Sequence, residues 1–418
     1  MLERIRRIDR RSIVFFLSIV GPGIITANVD NDAGGIATYS VAGAQYGYAL
    51  LWSLIPMLFV LFMIQEMVAR LGVVTGKGLS DLIREQYGVR VTFFTMLALL
   101  ITNFGNITAE FAGLAASLEI FGVSRYVSVP LGAAAVWYLV VWGNYRIVEK
   151  VFLFACTVYL SYVISGFMAN PPWGEVLTAM VIPTFRLEQN YLFMLIGIIG
   201  TTIAPWMQFY QQSSIVEKEI HVKNYRYVWW DVLSGCVFAV MVVFFIMVAC
   251  SATLHANGIP VKTAEDAAVA LAPLAGRHAS ILFAIGLANA SLFAASILPL
   301  STAYSICEGM GWEAGVNKDF REAPQFMGLY TGLIVLGAAL ILIPGAPLIW
   351  IMLVSQVING ILLPFVLIFI LLLVNNRELM GSRVNGRLYN GFSWLTVLIL
   401  IVLTLILLVM TVRDMFAG

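Results

Sequence analysis

The chain has 418 residues, of which 61% are hydrophobic and 11% charged, and its formal net charge is +1. A typical soluble domain carries about 25% charged residues, so this composition excludes a soluble protein, and the near-neutral balance carries no message of a nucleic-acid partner. The length accommodates roughly ten to twelve membrane spans of about 20 residues each.

The first twelve residues hold five arginines and two acids, with no small-residue cleavage site after the apolar run that follows. They read as a cytoplasmic anchor and not as a removed signal peptide. Eleven apolar spans follow, at 13–43, 46–69, 91–118, 127–145, 148–169, 190–214, 228–252, 278–307, 325–344, 348–374 and 391–412. The polar gaps are short and leave no room for a soluble domain. The gap at 70–90 contains Ser80-Asp81-Leu82-Ile83-Arg84-Glu85, which predicts a short interfacial helix.

Span 1 carries Ala27-Asn28-Val29-Asp30-Asn31-Asp32-Ala33-Gly34-Gly35 at its centre. Two carboxylates and a Gly-Gly pair are out of place there. A mid-membrane charge costs roughly 2.5–3.5 kcal/mol on insertion scales and marks ion or substrate paths, and each glycine gives up about 1 kcal/mol of helix propensity. The stretch therefore predicts a broken helix with a cation site at the break. Span 6 is broken in the same way at Gly200-Thr201-Thr202-Ile203-Ala204-Pro205, because Pro205 has no N–H and clashes with the preceding turn.

The broken spans are five apart, so two sets of five cross the membrane in opposite senses. Paired interruptions of this kind point to a transporter binding site between inverted repeats. The first repeat is expected over 1–170 and the second over 190–374, with 391–412 an additional span. Placing the N-terminus inside puts nineteen of the 24 lysines and arginines on inside segments and five outside. By the positive-inside rule this predicts a cytoplasmic N-terminus and an outside C-terminus, in a multi-pass protein of the plasma (inner) membrane.

At a helix break the carbonyls of the first half lose their partners and present negative charge. With a carboxylate they form an oxygen site for a hard cation. Asp32 is the leading ligand, and its competing reading is an N-cap of the second half-helix. Asp30 either lines the vestibule or holds a backbone group. The other polar residues at depth are Glu110 in span 3, Gln208, Gln211 and Gln212 in span 6, Asn289 in span 8, and Gln356 and Asn359 in span 10. Glu66 and Arg70 read as a helix-end ion pair. His221, His255 and His278 all fall in loops, and Cys156, Cys236, Cys250 and Cys307 read as packing residues without metal spacing.

These residues carry a resemblance. Gly21-Pro22-Gly23, Asp32-Ala33-Gly34-Gly35-Ile36-Ala37-Thr38, Gln45-Tyr46-Gly47-Tyr48, Ala69 to Gly76, Ala109-Glu110, Ser355-Gln356-Val357, Leu363-Pro364-Phe365 and Arg377 to Gly381 resemble, in order and spacing, the NRAMP family of divalent metal transporters. The resemblance implies an all-α polytopic membrane protein of LeuT-type fold, with a 5+5 inverted repeat and eleven transmembrane helices. It further implies ligands at Asp32, at the Val29 and Thr201 carbonyls, at positions 35 and 204, and at Gln356. Glu110, Trp206, Gln208 and Gln211 would line the path or support the site. The implied partners are a divalent metal ion and the bilayer, with no cofactor, no enzymatic activity, and a monomeric state.

The departures from the family pattern are informative. Gly35 stands where the family has Asn, and Ala204-Pro205-Trp206 stands where it has Met-Pro-His. Losing a thioether removes a soft ligand that favours manganese, iron or cadmium. The wider oxygen site suits magnesium, which keeps several waters when bound. This pattern is similar to the NRAMP-related magnesium transporters. Ile107 and Trp206 replace an Asp and a His of the family's proton path, and 325–344 lacks its Arg. Uptake of Mg2+ and Mn2+ by alternating access, with weak or absent proton coupling, is therefore expected. A proton-coupled Mn2+/Fe2+ symporter is the competing expectation.

Overall fold

The computed structural model describes residues 29, 31–141, 156–315 and 318–417. The first part of span 1, Asp30 and the junction of spans 4 and 5 lie outside the described residues. Secondary structure in the described chain is helical throughout. The first helix, α1 (Ala33–Tyr46), starts at the break predicted in span 1. A 3-10 stretch, Gly47–Ser53, then leads into α2 (Leu54–Thr75).

The sequence places span 2 at 46–69, and the structure shifts it in both directions. Gly47, with φ +56°, turns the chain before the helix begins. At the other end, Arg70 does not stop α2 because its Nε pairs with Glu66 Oε1 at 3.0 Å, one turn back. The stop is Gly76, a left-handed cap with φ +64°.

The helix α3 (Leu79–Glu119) joins the predicted interfacial helix end to end with span 3. Gly88, at φ +81° and ψ +169°, is the joint between them. Next come α4 (Arg125–Val141) and, past the undescribed junction, α5 (Leu160–Met168). The gap between predicted spans 5 and 6 contains a further helix, α6 (Trp173–Val181), which packs on Gly47–Ser53.

Span 6 forms two helices, α7 (Gln189–Thr202) and α8 (Pro205–Glu217). Spans 7 to 11 appear as α9 (Tyr225–Thr253), α10 (Ala279–Met310), α11 (Pro324–Ile341), α12 (Leu348–Val374) and α13 (Arg387–Ala417). Among the described residues eight helical segments are long and apolar enough to cross a membrane, and Arg125–Val141 and Thr157–Met168 are shorter apolar helices.

The core is a set of long helices in contact. α3 lies along α10 and α12, α7 lies along α12, and α1 packs against α9, α12 and α7. α7 and α12 approach to backbone contact. A Cβ on Gly200 would run into the Gln356 carbonyl and the Gly360 backbone, and one on Gly360 would come within 2.6 Å of the Ile196 carbonyl. Small residues permit such crossings in membranes, where packing replaces the hydrophobic drive. Phe59, Phe94, Leu131 and Val181 stay exposed, as lipid-facing side chains do.

The loops separate into two sets. Asn376 reaches Gln86, Arg70 reaches Asn385 and the Arg383 carbonyl, and Gln212 reaches the Lys77 carbonyl. On the other side, His255 contacts the Ala44 carbonyl, Thr184 donates to the Ala49 carbonyl and Arg125 donates to the Ala346 carbonyl. The first set holds the lysine- and arginine-rich segments.

Candidate metal site

The site is built on the N-terminus of α1. Asp32 has extended backbone angles and caps the helix, its Oδ1 accepting the Gly35 N–H at 2.6 Å. The capping reading of Asp32 is therefore realised in the structure. A second carboxylate uses the same helix end: Glu110, fully buried on α3, accepts the Ala33 N–H at 3.3 Å through Oε2. Free N–H groups and the positive end of the helix dipole attract both acids. The Asp32 and Glu110 carboxyls are thereby brought within hydrogen-bonding distance of each other. Two carboxyls in such contact hold a proton or a cation between them.

Gln356 closes another side. Its amide lies directly over Gly34, where a Cβ would overlap it. Its Oε1 accepts from Asn359 Nδ2 at 2.8 Å, and Asn359 exchanges two amide hydrogen bonds with Asn106, at 2.9 and 3.0 Å. This ladder ties α12 to α3 and fixes the Gln356 side chain.

The break in span 6 falls later than Gly200. α7 runs to Thr202, and Ile203 and Ala204 form the joint. Thr201 is the residue whose carbonyl the sequence orphans, since its partner four positions on is Pro205, which has no N–H. The Thr201 hydroxyl is buried without a hydrogen-bond partner. Tyr39 on α1 hydrogen-bonds the Thr202 hydroxyl at 3.0 Å, coupling the two broken spans.

Other sequence candidates have different surroundings. Gly35 contributes an N–H to Asp32 and no side-chain ligand. The Ala204 carbonyl accepts from Met207 N–H at 3.2 Å and from Gln208 Nε2 at 3.4 Å, so its oxygen is engaged. Val29 is helical and 1% exposed. Asp30 lies outside the described residues. Trp206 is buried on α8 with its ring against Tyr210. Gln211 donates to the Gln65 carbonyl at 3.3 Å, and its Oε1, like that of Gln208, has no partner.

Sequence reasoning missed Asn106 and Tyr159. Tyr159 donates to the Asn31 carbonyl at 2.7 Å, holding the broken end of span 1. A signal for Asn106 existed: Asn103, Asn106 and Glu110 recur at the spacing of one helical face. Nothing in the apolar run around Tyr159 marked it.

Residues 23–410 match the family model described as natural resistance-associated macrophage protein-like, or Nramp. The chain belongs to the Nramp family. It is 27% identical over 397 residues to the divalent metal cation transporter MntH of Klebsiella pneumoniae, covering 92% of each chain. It is 25% identical over 408 residues to MntH of Bacillus subtilis, covering 95% of this chain and 93% of that one. Its fold is similar to that of the manganese transporter of Eremococcus coleocola, with a TM-score of 0.73, 22% identity, and coverage of 96% and 87%. MhsT, solved in complex with L-phenylalanine, matches with a TM-score of 0.60, 14% identity, and coverage of 93% and 97%. These likenesses show an all-α, LeuT-type polytopic fold, as expected for an Nramp protein.

Proposed function

We propose that this Nramp protein is a secondary transporter for divalent metal ions, carrying Mg2+ and Mn2+ into the cytoplasm across the inner membrane by alternating access. The relatives named as divalent metal and manganese transporters support the substrate class. One observation carries the ion preference: the donors gathered at the helix breaks are oxygens. They are the Asp32 and Glu110 carboxyls and the Thr201 carbonyl, while Gln356 lies over Gly34 through its amide nitrogen, its Oε1 being held by Asn359. Small residues at 35 and 204 would leave space for water around them. Hard, hydrated Mg2+ fits such a donor set.

Asp32 would bind the ion directly, with the Val29 and Thr201 carbonyls completing the shell. Glu110 stands closer to the ion than a path-lining role implies, since it touches the Asp32 carboxyl. Residues 1–170 and 190–374 would move as inverted repeats, with the lysine- and arginine-rich loops in the cytoplasm and the C-terminus outside.

A second reading, proton-coupled Mn2+/Fe2+ symport, draws on the Asp32–Glu110 contact. A proton held there would be displaced as the metal enters. Calorimetric titration of Mg2+ and Mn2+ against the parent and Asp32→Ala decides the site. Loss of binding of both ions is the expected result, and an unchanged affinity refutes it. Mn2+ uptake that ignores millimolar Mg2+ would favour the second reading.

A further inference from the structure

Behind the break in span 1 stands a row of buried amides. Asn106 lies four positions before Glu110 on α3, and Asn359 lies three positions after Gln356 on α12. Both spacings put the asparagine on the helix face that carries the site residue. The two asparagines meet where α3 and α12 touch. Asn106 Nδ2 donates to Asn359 Oδ1 at 2.9 Å, and Asn359 Nδ2 donates back to Asn106 Oδ1 at 3.0 Å. Asn359 Nδ2 also donates to Gln356 Oε1 at 2.8 Å. None of the three residues is more than 1% exposed, so bulk water does not replace a bond that is lost.

These contacts dictate which end of Gln356 meets the site. Asn359 takes Oε1, and Nε2 is the end left over Gly34. A Cβ on Gly34 would overlap Nε2 and lie 3.3 Å from Asp32 Oδ1, so the amide nitrogen and the carboxyl share one small volume. An N–H donor suits a carboxylate, whereas a hard cation requires oxygen. Turning Gln356 alone would set two donors, its Nε2 and Asn359 Nδ2, face to face, and buried polar groups stranded in this way are costly. Turning all three amides costs no bond. The two ends of an amide have nearly the same shape. In the reversed register Gln356 Nε2 donates to Asn359 Oδ1, and the asparagines still exchange two hydrogen bonds. Each register contains three. A carboxylate at 359, which only accepts, could not serve both.

We propose that Asn106 and Asn359 are positioning residues of the metal site, forming with Gln356 a reversible amide relay. In the register of the structure Gln356 turns its N–H toward Asp32. In the reversed register it turns Oε1 toward the cation or one of its waters. The proposal rests on the reading of Asp32 as the ion's ligand. The relay supplies an oxygen donor when the ion arrives, keeps every buried hydrogen bond of the ladder, and carries the event to the contact between α3 and α12.

The test is infrared difference spectroscopy of the purified full chain, isotope-labelled at the asparagine side-chain carbonyls, with and without Mg2+ at a concentration that calorimetry shows to fill the site. Asn359 Oδ1 accepts one hydrogen bond in the register of the structure and two in the reversed one, and a second hydrogen bond lowers a carbonyl stretch. The parent should therefore show an asparagine band moving to lower frequency as Mg2+ binds, and Asn359→Leu should lose that shift. If Asn359→Leu does not fold, Asn359→Ser removes the same carbonyl while its hydroxyl still donates and accepts, and the shift should again be lost. Gln356→Ala, with its site filled, should lose it too, because no amide is left to turn. A purely structural tie between α3 and α12 would not respond to the ion. The proposal is overturned if the asparagine band stays in place in the ion-bound parent, or if the shift survives in Gln356→Ala or without Asn359. Failure of the metal-site reading looks different: Asp32→Ala then keeps both the bound Mg2+ and the shift.

Discussion

At the scale of single residues, the site is two acids on one helix end. Ala33 and Gly35 supply the N–H groups, and Glu110 and Asp32 receive them. Glu110→Gln keeps an oxygen for the Ala33 N–H but removes a charge next to Asp32. Charge-assisted contacts are worth roughly 1.5–3 kcal/mol, so Mg2+ affinity should fall about tenfold to a hundredfold by calorimetry, with the melting temperature preserved. On the proposed site, position 204 would set its softness. Ala204 is 2% exposed at the joint of the broken span, and Ala204→Met would place a thioether there. Competition assays should then show Cd2+ displacing Mg2+ more effectively than in the parent, because sulfur favours soft metals. Equal displacement in both proteins would remove position 204 from the selectivity argument. Asp32, Glu110 and Gln356 were legible in the sequence because a charge or amide inside an apolar run is an anomaly. Their mutual contact was not, since Ala33 and Glu110 are 77 positions apart and a single sequence does not encode which helices touch.

At the scale of elements, local chemistry marked the breaks and the caps marked the ends. Pro205 and the Asp32–Gly35 stretch announced both interruptions, and α12 occupies the expected 348–374 without a shift. The errors came where a tertiary partner overrode composition. Arg70 looked like a terminus but reaches Asn385 and the Arg383 carbonyl, and α2 continues to Gly76. The helix Trp173–Val181 forms in a gap between predicted spans and packs on Gly47–Ser53, a surface invisible before folding. The α7–α12 crossing is a sensitive joint, because a Cβ on Gly200 or Gly360 would run into the facing backbone. Overpacking of this kind costs typically 1–3 kcal/mol. Gly360→Ala should therefore lower the thermal midpoint in detergent and reduce ion binding with it. Gly332→Ala on α11, where a Cβ meets nothing within 4 Å, should be neutral or slightly stabilising, since alanine is the better helix former. If the two variants melt alike, the crossing is looser than its geometry implies.

At the scale of the whole molecule, the question is what drives the ion. The two loop sets differ in lysine and arginine content, and the proposed orientation places the richer set in the cytoplasm. A divalent ion moving inward across roughly 100 mV gains about 4.6 kcal/mol, at ~2.3 kcal/mol per charge. That supports accumulation on the order of a thousandfold without any other ion. Position 107 holds Ile, position 206 holds Trp, and 325–344 holds no Arg, so the side chains expected to relay protons away from the site are replaced. The remaining candidate for a proton is the Asp32–Glu110 contact itself. Proteoliposomes with a potassium-set potential and an internal pH dye separate the two drives. Mg2+ uptake should rise with inside-negative potential, vanish when the potential is collapsed at equal Mg2+, and leave the internal pH unchanged. Acidification in step with uptake would assign the proton at Asp32 and Glu110 to the transport cycle. Glu110→Gln should then abolish the acidification while leaving residual potential-driven uptake.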